Sequence, residues 1–259
     1  MQPRLDDLHA TAVNIILLTD SDFTSPAQCT LHGARALHIA SVLKSAAGDT
    51  LKVGRLDGAM GNAKIAALSG TGNTTQVQLC DVLLEQAPPA PLPITLLLAL
   101  PRPRMLGRLL RDVTSLGVKN IHLFSCNKVE NSYWQTPSLK PESVHERLLD
   151  GLTQARDTHI PTVHLHRHFR EITHDLLPTL LQSHTGVLAD PFSPRATPNL
   201  SAQKPIALLI GPEGGFTEIE RTQLLDANCQ ALWLGSRILR VETAVHNAIG
   251  RLGAMMELP

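Results

Sequence analysis

Two glycine-bearing segments in the last fifth of the chain carry the residue types of a ligand cradle. The first, Ile210-Gly211-Pro212-Glu213-Gly214-Gly215-Phe216, follows the apolar run Ile206–Leu209. The second, Leu234-Gly235-Ser236-Arg237-Ile238-Leu239-Arg240-Val241-Glu242-Thr243-Ala244, follows Ala231-Leu232-Trp233. Glycine permits close backbone approach and positive φ, and ligands of open α/β sheets sit beyond the carboxyl ends of strands. Both segments fall at such ends, so together they predict a small-molecule site near the carboxyl terminus. The first is not a Walker loop, because no Gly-Lys-Ser/Thr follows, and it lacks the Gly-x-Gly-x-x-Gly spacing of dinucleotide folds. Its glycines serve either an anion cradle opening a helix or a structural turn. Glu213 would repel a phosphate, which favours a ligand with a cationic or hydrogen-bond-donating part. Neither segment contains a lysine, which weighs against a nucleotide-phosphate enzyme.

A second constellation suits a polyanion. At 100° per residue Leu106, Leu109, Leu110 and Val113 form one apolar stripe, with Arg104, Arg108 and Arg111 on the opposite side. Residues 94–128 hold Arg102, Arg104, Arg108, Arg111, Lys119 and Lys128 against the single acid Asp112. Such a face is either an ordinary solvated surface or a set of phosphate contacts. His164, His166 and His168 alternate and would share one side of a strand. No cysteine or carboxylate stands near them at ligand spacing, and no metal is expected.

Strand and helix signals place these residues. Glu85–Pro93 carries four prolines, Pro88, Pro89, Pro91 and Pro93, and reads as a stiff linker. Before it, β-prone pieces at Asn14–Leu18, Thr50–Arg55 and Thr75–Leu84, with one helix over Ala34–Ser45, suggest a small β-barrel-like domain. After it, strands are predicted at Ile94–Leu100, Lys119–Phe124, Thr162–His166, Gly186–Asp190, Ile206–Ile210 and Ala231–Leu234. Helices are predicted at Pro103–Leu116, Glu142–Arg156, Arg170–Gln182, Glu218–Asn228 and Thr243–Glu257. Short apolar strands between amphipathic helices imply an α/β fold with a parallel sheet. Thr217-Glu218-Ile219-Glu220 fits a capping box, so a helix should start just past the first glycine segment. The closing helix presents Val245, Ile249, Leu252 and Met256 on one face, suited to core packing or a dimer interface.

The 259 residues allow two domains, and 43% hydrophobic content supports a sizeable core. Net charge is +0, which argues against a uniformly basic nucleic-acid binder while leaving room for a basic face. The longest apolar run, Ile94–Leu100, is far short of the ~20 residues of a membrane helix. Met1–Asp7 is polar and acidic, unlike a secretory signal. Cys29, Cys80, Cys126 and Cys229 are widely spaced, the pattern of reduced cysteines in a cytoplasmic protein.

The two carboxyl-terminal segments resemble the corresponding motifs of the RsmE-type 16S ribosomal RNA uridine-N3 methyltransferases of the SPOUT superfamily. His38–Lys44 followed by Gly48-Asp49 is similar to that family's amino-terminal PUA-like barrel, and Leu116-Gly117-Val118 and Ile160-Pro161 also fit. The resemblance implies a SPOUT-like parallel sheet with a C-terminal trefoil knot, preceded by a PUA-like barrel. It divides the chain into an RNA-binding domain over 1–85, a linker over 86–93 and a methyltransferase domain over 94–259. It implies an S-adenosylmethionine-dependent enzyme, a homodimer acting on 16S ribosomal RNA or the assembled small subunit. Cofactor contacts are expected from Asp190, Gly211, Glu213, Gly214, Leu234, Gly235, Ile238 and Leu239. RNA contacts are expected from Lys44, Arg102, Arg104, Arg108 and Arg111. Glu213 and Arg240 are expected at the chemistry, Arg240 stabilising a developing uridine anion or else pairing with Glu242. Around Asp112–Ser115, Asn127–Trp134 and Thr153–Arg156 the chain departs from the family pattern, in the part expected to face RNA or a dimer partner. The alternative is a non-catalytic RNA-binding or ribosome-assembly protein on the same framework.

Overall fold

The computed structural model describes residues 14–201 and 204–256. Met1–Asp7, read above as unlike a secretory signal, and Glu257, read as the end of the last helix, lie outside the described residues. The chain divides into two compact units, one formed by residues up to Ala90 together with Leu149–Ile160, the other by Pro91–Leu148 and the residues from Pro161 onward.

The first unit holds strands β1 (Ile16–Leu18), β2 (Phe23–Ser25), β3 (Gln28–His32), β4 (Thr50–Arg55), β5 (Met60–Ser69) and β6 (Gln76–Gln86). They form one sheet in the order β1-β4-β5-β6-β3-β2, antiparallel except for the β1–β4 pair. Alternate residues point into one core, among them Leu51 and Val53 of β4, Ala63 and Ile65 of β5, and Val77 and Leu79 of β6. The helix predicted over Ala34–Ser45 is α1 (Gly33–Leu37), continued by a wider turn at His38–Val42. Lys44, with φ +53°, leaves the helical region and stops it. Strands β2, β3 and β5 were not expected from the sequence. A smaller core joins Leu152 to Ile15 and Leu17.

The second unit is a six-stranded sheet of β7 (Ile94–Ala99), β8 (Asn120–Phe124), β9 (Thr162–His166), β10 (Thr185–Ala189), β11 (Ile206–Ile210) and β12 (Gln230–Leu232). Every pairing is parallel, and the order is β12-β10-β11-β7-β8-β9. Each residue of β7 and β11 is buried, as expected of central strands covered on both faces. The helices are α2 (Pro103–Ser115), α3 (Pro141–Ala155, whose last turns belong to the first unit), α4 (Leu177–Ser183), α5 (Glu218–Asp226) and α6 (Val241–Met255). A wider turn over Glu171–Leu176 leads into α4. The α/β fold with a parallel sheet is therefore the one the strand–helix alternation predicts. In α2 the stripe Leu106, Leu109, Leu110 and Val113 is buried, while Arg104, Arg108 and Arg111 are exposed. The parallel sheet brings the carboxyl ends of β10, β11 and β12 side by side, which positions the loops described next.

Candidate cofactor site

The three loops that leave β10, β11 and β12 enclose one cavity of about 580 Å³. It brings together Asp190, Gly211, Glu213, Gly214, Leu234, Gly235, Ile238 and Leu239, all eight residues that the sequence marks for a cofactor. Pro191, Phe192, Pro194, Arg221 and Trp233 line it as well, of which Arg221 and Trp233 were not anticipated. The signal for the first three was present in Asp190-Pro191-Phe192-Ser193-Pro194, two prolines directly after an apolar strand. Arg221 lies on α5, and nothing local in the sequence points from it to the cavity.

The loop after β10 is held from beneath. The Asp190 carboxylate is 3% exposed and bonds the Arg221 guanidinium at 2.8 Å, the Ser193 hydroxyl at 2.6 Å and the Phe192 amide at 3.0 Å. Arg221 also donates to the Ser193 hydroxyl at 3.0 Å. A buried carboxylate needs this full set of donors to be tolerated. Asp190 thus borders the cavity while its side chain organises the loop. Phe192 is left 70% exposed on a fixed backbone.

The loop after β11 is tied on its outer side. Thr217 and Glu220 form the predicted capping box of α5: Glu220 accepts from the Thr217 amide and hydroxyl at 2.9 Å each, and Thr217 accepts from the Glu220 amide. The other oxygen of Glu220, a buried residue, accepts from the Asn127 amide at 2.7 Å. Lys128 Nζ donates to the Gly214 carbonyl at 2.8 Å. A Cβ added at Gly214 would stand 2.9 Å from Lys128 Cδ, so this glycine makes room for the lysine stem. The Glu213 carboxylate does not turn toward the cavity interior for its partner; it accepts from the Arg102 backbone amide at 3.0 Å.

The loop after β12 behaves differently. Among the described residues, no backbone amide or carbonyl of Leu234–Leu239 has a hydrogen bond within the protein. Gly235 has φ +124°, open to glycine and strained for other residues, with open space where a Cβ would stand. Ile238 is 98% exposed. Unpaired backbone donors and acceptors beside an apolar side chain suit the edge and face of a heteroaromatic ring. These residues therefore fit an adenosine-bearing cofactor.

Arg240 is the amino-terminal cap residue of α6, exposed, and not among the cavity-lining residues. It takes part in none of the ion pairs found among the described residues, with Glu242 or otherwise. Arg102, Arg104 and Arg108 are likewise in no ion pair there. Arg111 is: it meets Asp112 at 3.3 Å, so the arginine face is not wholly unpaired. Lys44 belongs to the first unit and is exposed.

The histidines form a stack. His122 on β8 lies ring to ring with His164 at 4.5 Å, and its Nδ1 is 2.9 Å from His166 Nε2. His168 falls beyond the end of β9. Burial, reinforced by His164 and His166, lowers the pKa of His122 to about 4. Among the described residues no group of three or more His, Cys, Asp and Glu could hold a metal ion. All four cysteines are free; burial raises Cys29 to about 11 and Cys126 and Cys229 to about 12, leaving these three as inert thiols at neutral pH.

An RNA methyltransferase domain model matches residues 88–253. The chain belongs to the RNA methyltransferase family. This family member is 32% identical over 246 residues to the ribosomal RNA small subunit methyltransferase E of Treponema pallidum, covering 90% of this chain and 87% of the relative. It is 29% identical over 235 residues to the protein of the same name from Synechocystis, covering 89% and 74%. Among solved structures, the Neisseria gonorrhoeae ribosomal RNA small subunit methyltransferase E, bound to S-adenosylmethionine, superposes with a TM-score of 0.69 at 20% identity, over 93% of this chain and 98% of that one. A methyltransferase from Legionella pneumophila, also with S-adenosylmethionine, gives 0.71 at 21% identity, over 94% and 98%.

Proposed function

We propose that this protein transfers a methyl group from S-adenosylmethionine to N3 of a uridine in 16S ribosomal RNA, as free RNA or in the small subunit. The observation that carries this reading is the cavity at three adjacent strand ends, walled by one loop with unspent backbone hydrogen bonds. S-Adenosylmethionine supplies an electrophilic methyl on a sulfonium. Leu234–Leu239 would meet the adenine edge, Ile238 its face, and the backbone of Gly211–Gly214 the opposite wall. The N3 proton must leave as N3 takes the methyl, and Arg240 would stabilise the uridine anion that develops.

Arg102, Arg104, Arg108 and Arg111, with Lys44, would contact phosphates. The segment 1–85 would act as a PUA-like RNA-binding barrel, 86–93 as a linker, and 94–259 as a SPOUT methyltransferase domain with its trefoil knot. The resemblance to SPOUT proteins supports a homodimer, and a closed twofold pair would let two chains hold one RNA. The apolar face of α6, with Val245, Ile249, Leu252 and Met256 buried within this chain, serves its own core instead. A cytoplasmic location follows from the ribosomal substrate, and no helix among the described residues is long and apolar enough to cross a membrane.

The test is single-turnover methylation of small-subunit RNA with isotopically labelled S-adenosylmethionine, at saturating RNA and cofactor. Wild type should label uridine N3. Arg240→Ala should slow the step ~10²–10³-fold, the typical loss of one such electrostatic group. An unchanged rate would make Arg240 a structural residue.

A further inference from the structure

Glu213 borders the cavity, yet its carboxylate bonds the Arg102 amide at 3.0 Å. Arg102 is the amino-terminal cap residue of α2, the helix bearing Arg104, Arg108 and Arg111. A carboxylate is favoured at that end because the first amides of a helix present partial positive charge. The same loop is fastened twice more, by Lys128 at Gly214 and through Glu220 at Asn127. One short segment therefore has the cavity on its inner side and the root of the arginine helix on its outer side.

We infer that Glu213 is a positioning residue that couples cofactor binding to RNA binding. This rests on the methyltransfer reading above and adds to it. A ligand that packs on Gly211–Gly215 narrows the positions open to the loop. Glu213 then holds Arg102, and with it the first turn of α2, in one arrangement toward RNA. The coupling is reciprocal, so RNA held by the arginine face tightens cofactor by the same factor. The bond crosses two loops 111 residues apart in sequence and serves no turn or cap of its own loop.

The test uses the full chain, small-subunit ribosomal RNA, and S-adenosylhomocysteine as a probe that permits no turnover. RNA affinity is measured with and without the probe, and probe affinity with and without RNA. In wild type each should tighten the other by about 5-fold or more, the usual range of coupled sites. Glu213→Ala should bring that factor below about 2. Glu213→Gln keeps an acceptor oxygen at the same place and should retain most of the coupling. Thermal melting checks that all three proteins are folded, which the exposed position of Glu213 favours. A wild-type factor of one, or an undiminished factor in Glu213→Ala, overturns the inference. So does an equal loss of probe affinity with and without RNA, which would make Glu213 a direct ligand. A wild type that binds no probe overturns the methyltransfer reading itself.

Discussion

The loops after β11 and β12 face the same cavity with opposite economies of hydrogen bonding. Residues 211–217 are fastened outward by Glu213, Lys128 and Glu220. Residues 234–239 have no backbone partner within the protein among the described residues. Backbone groups without a partner beside a cavity are available to a ligand. Among the described residues the loop after β11 keeps some of these, at Gly211 and Glu213, but it is tied in place at other points, whereas the loop after β12 is not. The two glycine motifs thus differ in how they are held, one loop a frame fastened from outside and the other, on the reading proposed above, the reader of the ligand.

Breaking the frame should have the largest effect. Glu220→Ala removes a buried acceptor of three hydrogen bonds and strands the Asn127 and Thr217 amides. The loss should be about 3–4 kcal/mol of stability by urea denaturation, given the cost of unpaired buried donors and of a lost helix cap. If Glu220→Ala unfolds at the wild-type midpoint, the loop is not held as described.

Acid should take frame and reader together. Because the folded-state pKa of His122 is lowered to about 4, folding keeps this imidazole neutral. Its contribution is present above the unfolded value of about 6.5 and is lost as pH falls from there toward about 4, up to about 3 kcal/mol. Urea midpoints at neutral and acid pH should show this decline, and His122→Asn should flatten it. A cofactor affinity that falls before the fold weakens would point to titration within the loops instead.

Within the site, the glycines should separate. Gly235→Val forces a β-branched residue to φ +124° and should lower S-adenosylmethionine affinity by about 30-fold, or ~2 kcal/mol. Gly214→Ala presses only on the flexible stem of Lys128 and should cost less than about 3-fold by calorimetry. Equal losses would erase the distinction between the loops. The smallest effect lies outside both: Arg104→Ala or Arg108→Ala should reduce the salt slope of RNA binding by about one each and leave cofactor affinity alone. Arg111→Ala should change it less, because Asp112 already holds that guanidinium at 3.3 Å.

The second unit was legible because its signals are local. Ile206–Ile210 is an uninterrupted apolar run ending at glycine, and Thr217–Glu220 writes its capping box in four consecutive residues. The first unit was harder. Strand β5 carries Gly61, Asn62 and three alanines, poor strand formers that are held there by pairing with β4 and β6. In the site, the sequence marked which residues gather at the cavity. It did not show which way their side chains would turn, because Asp190 finds Arg221 and Glu213 finds Arg102 across stretches of 31 and 111 residues. Such pairings depend on where the sheet brings distant strand ends, and no local periodicity encodes them.

The cavity wall also contains an optical instrument. The chain has two tryptophans, and their settings differ. Trp134 is buried beneath the Arg167 guanidinium, 4.5 Å from its ring centre. Trp233 borders the cavity, its amide held by the Ala196 carbonyl at 2.9 Å and its own carbonyl by Arg251 at 2.8 Å. Its backbone is therefore held at the wall of the space that an arriving molecule would enter. Emission from that ring should titrate with occupancy, and Trp134→Phe leaves a single emitter, so the protein reports its own binding curve without a label.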